Sequence, residues 1–122
     1  MRMDINQFHK DVSMIVVTLR MVVAPEKRED FLKTIRGILE PTRVEPGCKS
    51  FYFYQDIEDK NAFILVEEWE TKADLDSHIH KDSYRKVLAL MDLLSEPPEI
   101  KFNTVSHVAG MEYVAEVLDF RS

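Results

Sequence analysis

The ten residues Met14 to Val23, MIVVTLRMVV, restrict the fold more than any other stretch of this chain. Their length and β-branched content specify a strand. Side chains alternate across a strand, so Ile15, Val17, Leu19, Met21 and Val23 share one side. Met14, Val16, Thr18, Arg20 and Val22 share the other. Both sides are largely apolar, so a sheet built around this strand needs cover on two faces. The rest of the chain has to supply both layers.

Three more strands and two helical regions follow. Ala24-Pro25 opens a helix, with proline tolerated in the first turn and Glu26, Glu29 and Asp30 favourably placed near its N-terminal dipole. Phe31, Leu32, Ile35, Ile38 and Leu39 recur at helical spacing, and Pro41 kinks or ends the run no later than Val44. Glu45-Pro46-Gly47 is a turn. Cys48 to Gln55 is a second strand, with Tyr52 and Tyr54 on one side and Phe51 and Phe53 on the other. A loop over 56–61 makes a hairpin to a third strand, 62–70, in which Phe63, Leu65, Glu67 and Trp69 alternate with Ile64, Val66 and Glu68. Thr71 and Asp74 match a helix-start box, in which a hydroxyl accepts from an early amide and an acid three residues on reaches back. Lys81-Asp82-Ser83 breaks this helix, and a second run places Tyr84, Val87, Leu88, Met91 and Leu94 on one face until Glu96-Pro97-Pro98 stops it. Ile100 to Val108 is the fourth strand.

The order strand, helix, strand, strand, helix, strand is the split βαβ arrangement of ferredoxin-like α+β folds, an antiparallel βαββαβ sheet with helices on one face. Residues 1–13 read as an N-terminal extension, 14–108 as the domain, and 109–122 as a tail that is either a short helix or an arm exchanged with a second subunit. Two helices cover one sheet face only. The other keeps Tyr, Phe and Val side chains exposed, and an apolar area of that size marks an interface. The expectation is a homodimer whose sheets pack face to face.

A chain of 122 residues holds one domain with one core. Its formal net charge of -6, with no Lys/Arg cluster, argues against nucleic acid as a partner. One cysteine, Cys48, excludes an internal disulfide. No apolar run approaches the roughly 20 residues that span a bilayer. These features fit a soluble cytoplasmic protein with no membrane insertion. His78 and His80 are two apart, which on a helix turns the rings away from each other, so no metal site is expected. Gly37, Gly47 and Gly110 stand alone, so no phosphate-cradling loop supports a nucleotide cofactor.

Glu45-Pro46-Gly47-Cys48 after the first helix, Glu68-Trp69-Glu70-Thr71 at the end of the third strand, and His78 nine positions past the tryptophan together resemble the antibiotic biosynthesis monooxygenase family of dimeric α+β barrels. The resemblance runs from residue 14 to about 107, and the small quinol monooxygenases are the most similar members. It implies a dimer of ferredoxin-like halves, each with an apolar pocket between sheet and helices. For some members it implies oxygenation of a phenolic or quinol substrate by molecular oxygen without metal or flavin. Two positions depart from parts of the family: Ser83-Tyr84 stands where some members have a second histidine, and Leu65 where the polycyclic-substrate oxygenases have asparagine. Haem degradation is not expected, because the first strand has no asparagine and the run Tyr84 to Leu94 has no histidine.

The candidate residues each carry two readings. His78 is the candidate base, since a neutral imidazole accepts a phenolic proton near neutral pH; it is equally a helix-face histidine bonded for structure. Trp69 lines a pocket or fills the core. Tyr52, Tyr54 and Tyr84 offer hydroxyls to a substrate or simply pack. Arg20 pairs with Glu67 or Glu68, or binds an anionic substrate. The expected function is a cofactor-independent monooxygenase of a small aromatic or quinol. The alternatives are a non-catalytic dimeric module for small-ligand binding or stress response, and an isomerase of a small hydroxy-carbonyl compound.

Overall fold

Backbone pairing, not apolar content, sets the length of the first strand. In the computed structural model, which describes residues 9–118, β1 runs His9–Val22 and so begins within the polar stretch assigned to an extension. Its early residues pair with the end of β4, His9 opposite Ala109, across an irregularity between Asp11 and Met14. A ladder needs only N–H and C=O groups, so polarity did not reveal this pairing. Expectations for residues 1–8 and 119–122 lie outside the described residues.

The other strands are β2 (Cys48–Asp56), β3 (Asp59–Trp69) and β4 (Glu99–Ala109). They form one antiparallel sheet in the order β2-β3-β1-β4. The register sets Ile15 opposite Trp69, Val17 opposite Glu67, Leu19 opposite Leu65 and Met21 opposite Phe63. These residues face the helices and are buried. After a 3-10 turn at Pro25–Lys27, α1 (Arg28–Arg43) lays Phe31, Ile35 and Ile38 on this face. Pro41 costs the helix one hydrogen bond but does not end it, being only two residues from the terminus. Arg43 Nε then donates to the Phe51 carbonyl at 2.9 Å and ties the helix end to β2.

Helix α2 (Lys72–His80) starts at Thr71 as its sequence predicts. Thr71 Oγ1 accepts from the Asp74 amide at 3.0 Å, and its hydroxyl donates back to Asp74 Oδ2 at 2.9 Å. The run expected as one helix from Tyr84 to Leu94 is instead three short pieces: a 3-10 turn at Asp82–Tyr84, α3 (Arg85–Leu90) and a 3-10 turn at Met91–Leu93. Val87 and Leu90 are buried, whereas Leu88 faces solvent and leaves the predicted face. The tail is helical, as α4 (Met111–Leu118).

Among the described residues, the helices leave most of β4 exposed on both sides. Ile100 and Phe102, the latter 54% exposed, lie on the helix-facing side yet stay exposed. On the opposite face Tyr52 and Tyr54 are exposed, and Val16, Ile64, Val66 and Val105 are half-buried. Among the described residues, no helix is long and apolar enough to cross a membrane.

Candidate active site

Gly47 brings two distant parts of the chain together. Its φ of 81° suits glycine, and a Cβ there would collide with the Asp74 side chain at the start of α2. Its carbonyl accepts from the Glu70 amide at 2.7 Å. The turn before β2 is thereby fastened to the end of β3 and the start of α2. Glu45, two residues earlier, is delivered to the side of α2 that faces the sheet.

His78 arrives there from α2 and is 2% exposed. Its Nδ1 lies 3.0 Å from Glu45 Oε1, and its Nε2 lies 3.9 Å from Glu67 Oε1. A carboxylate can only accept, so the proton between Glu45 and the ring sits on Nδ1. Nε2 is buried and has no hydrogen-bond partner among the described residues. Trp69 stacks on the imidazole at 4.6 Å between centroids and 28° between planes, and donates its Nε1–H to Glu67 Oε1 at 2.8 Å. Tyr84 meets the ring edge-on at 5.2 Å, and Phe51 does so at 6.3 Å.

Burial governs the protonation of this cluster. It pushes the Glu67 carboxyl up to about 7; the Trp69 N–H opposes the rise and the nearby Glu45 adds to it. Burial also lowers the His78 pKa against the raising effect of Glu45, with Lys81 adding to the fall. The Tyr84 hydroxyl is raised by burial and then by Glu67. Cys48, at the start of β2, is pushed up to about 11 by burial and by both glutamates, so it stays a thiol. It is a half-buried packing residue and not a nucleophile.

Of the six residues singled out from sequence, the fold brings three together: His78, Trp69 and Tyr84. Tyr52, Tyr54 and Arg20 stand on the opposite face of the sheet. Arg20 pairs with neither Glu67 nor Glu68 but approaches Glu96 at 3.8 Å. The register explains the difference, since Arg20 lies opposite Ile64, while Glu68 is opposite Val16 and Glu67 faces the helices. His80 bonds the Asp76 carbonyl of its own helix at 2.7 Å and takes no part. Glu45 and Glu67 were missed. The signal for Glu67 was present, as a carboxylate alternating with Phe63, Leu65 and Trp69 on an apolar face needs a buried partner.

The two carboxylates address opposite ring nitrogens, so the three side chains do not converge on one cation. A cavity of about 20 Å³ touches His78, Gly37, Pro41, Thr42, Ser83 and Val87. That is room for a water, against roughly 300–1,000 Å³ for sites that enclose a small molecule. A larger hollow of about 230 Å³ involves Arg20, Gln55, Phe63 and Ile64 and does not include His78.

The sequence profile of the antibiotic biosynthesis monooxygenases matches residues 14–90, from β1 through α3. The chain belongs to this family. It is 37% identical over 93 residues to the uncharacterized protein sll1783 of Synechocystis, covering 75% of this chain but only 63% of that protein. Among solved structures it is similar to a conserved protein of Methanosarcina mazei, with a TM-score of 0.72 and 29% identity over 75% of this chain and 92% of the other. It is also similar to an antibiotic biosynthesis monooxygenase, with a TM-score of 0.69 and 25% identity over 75% and 97% of the two chains. The ferredoxin-like fold expected from the element order is thus the family's fold.

Proposed function

We propose that this protein is a monooxygenase that needs neither metal nor flavin and acts on a small aromatic or quinol, with His78 as its base. One observation carries the reading. His78 is a buried imidazole held through Nδ1 by Glu45, with an unsatisfied Nε2 among aromatic rings. Nε2 takes the phenolic proton, and the electron-rich anion reacts with molecular oxygen. One oxygen atom enters the ring and the other leaves as water, so all the electrons come from the substrate. A hydroquinone, or a phenol oxidised to a quinone, meets that requirement. The small cavity means that the turn carrying Ser83, which lines it, has to move aside for the substrate.

The test is oxygen uptake on reduced naphthoquinones and related phenols. Consumption well above autoxidation, with one molecule of oxygen used per hydroxylated product, is the expected result. Absence of uptake on all of them would remove the oxygenase reading. A second reading, an isomerase of a small hydroxy-carbonyl compound, is favoured by the closeness of Glu67 to His78, since moving a proton between two carbons needs an acid beside the base. Turnover that persists without oxygen would select it.

The open sheet face supports a second part of the proposal, a homodimer. Tyr52 and Tyr54 are 50% and 52% exposed beside half-buried Val16, Ile64 and Val66. A second copy packed face to face would cover them, and the hollow beside Arg20 would then open onto that interface. Light scattering at micromolar concentration is expected to give twice the chain mass; a monomer would exclude this arrangement.

A further inference from the structure

Glu67 is the buried group that the base reading leaves without a task. Its side chain is 5% exposed and accepts a hydrogen bond from Trp69, and it approaches the ring nitrogen of His78 that has no partner among the described residues. On the other side of the ring Glu45, 8% exposed, holds Nδ1. A buried carboxyl beside an unsatisfied nitrogen is costly unless a proton lies between them. We propose that Glu45, His78 and Glu67 form a proton relay, in which Glu45 keeps one proton on Nδ1 while Nε2, unprotonated at the start, takes up a second and hands it to the Glu67 carboxylate. Glu45 is then a positioning residue acting through the ring, and Glu67 receives the proton that Nε2 takes from substrate. The balance is closed: the substrate O–H bond breaks, an N–H bond forms at Nε2, and that proton passes to a Glu67 oxygen as the imidazole returns to neutral.

Every charged or titratable group packed around the ring bears on this. Glu45 comes from the turn before β2, Glu67 from β3, Lys81 from the end of α2 and Tyr84 from the turn before α3. Lys81 Nζ lies 3.8 Å from Glu45 Oε1. The Cys48 thiol lies in the field of both carboxylates without titrating in the neutral range.

The catalytic use of this relay rests on the base reading above, but its test needs no substrate. Nitrogen NMR of the His78 ring and carbon NMR of the Glu67 carboxyl, recorded through neutral pH, report the relay directly. The expected wild-type result is a protonated Nδ1 throughout and one step seen together at Nε2 and at the carboxyl carbon. In Glu67→Gln the Nε2 step moves to lower pH. In Glu45→Ala the ring proton redistributes onto Nε2. A wild-type ring protonated at Nε2 instead of Nδ1, or a Glu67→Gln ring that titrates as the wild type does, would overturn the relay.

Thermal melts check the same assignment by another route. Folded Glu67 keeps its proton up to about pH 7, whereas an ordinary Glu releases it near 4.5. This raised pKa stabilises the folded state on the acid side, and the contribution is lost as pH rises through 7. His78, with a lowered pKa, acts the other way, losing stability as pH falls below its ordinary 6.5. Glu67→Gln is therefore expected to melt higher than wild type above pH 7, and a lower melt there would count against a proton held at this site. Relay signals without any oxygen uptake would keep the relay and dismiss the oxygenase. Uptake by a protein whose ring carries its proton on Nε2 would do the reverse.

Discussion

Turnover by His78→Gln is expected to fall by about 10²–10⁴-fold on any substrate that the wild type consumes, the usual contribution of a positioned general base. Glutamine nearly fills the imidazole's space and can hydrogen-bond to Glu45, so the pocket survives while the titrating nitrogen is gone. The loss belongs in kcat more than in KM, because the missing interaction is made as the proton moves and not as the substrate binds. Initial rates of oxygen uptake, beside a circular dichroism melt to show that the variant is folded, make the measurement. A folded variant retaining full turnover would end the base assignment. The wild-type pH profile carries the complementary expectation. Because burial lowers the His78 pKa, its base form persists to more acidic pH than an ordinary imidazole allows.

The largest effect on stability is expected at Trp69. It is fully buried, stacks on His78 and supplies the N–H that bonds Glu67. Trp69→Ala removes a large buried ring and is expected to cost about 3–5 kcal/mol. It also strips Glu67 of the one interaction that lowers its pKa, so that carboxyl should hold its proton to still higher pH. Trp69→Phe separates the two contributions. It keeps most of the packing but orphans a buried acceptor, for an expected cost of about 1–3 kcal/mol. Urea unfolding of both variants gives the comparison. Equal losses would mean that the Trp69–Glu67 hydrogen bond is worth all that the ring is worth, which its geometry does not support.

The fold was legible because it depends on local patterns. The alternation in Met14 to Val23 sorted the side chains into two sets, and the odd-numbered set from Ile15 to Val23 is the one the structure buries. Thr71 and Asp74 fixed the start of α2 to the residue. What failed was non-local. Alternation in β4 predicted an inner and an outer side but could not show that the helices stop short of that strand. The site was half legible for the same reason. Trp69 and His78 announce themselves by residue type, and the strand-to-helix turn places them over one sheet. Glu45 joins them only through the fit of Gly47 against Asp74, which no spacing rule encodes. Tyr52 and Tyr54 share one side of β2 as the alternation predicts, but that this side faces away from His78 is set by the pairing with β3.

The bond between Glu45 and His78 spans 33 residues and joins the two halves of the split βαβ pattern. Contacts that distant in sequence form late, after the loops between them have been closed. The imidazole therefore acquires its fixed tautomer only once both halves have docked. A nascent or partly unfolded copy of this chain carries an ordinary histidine, and the ring held by Glu45 exists only in the finished molecule.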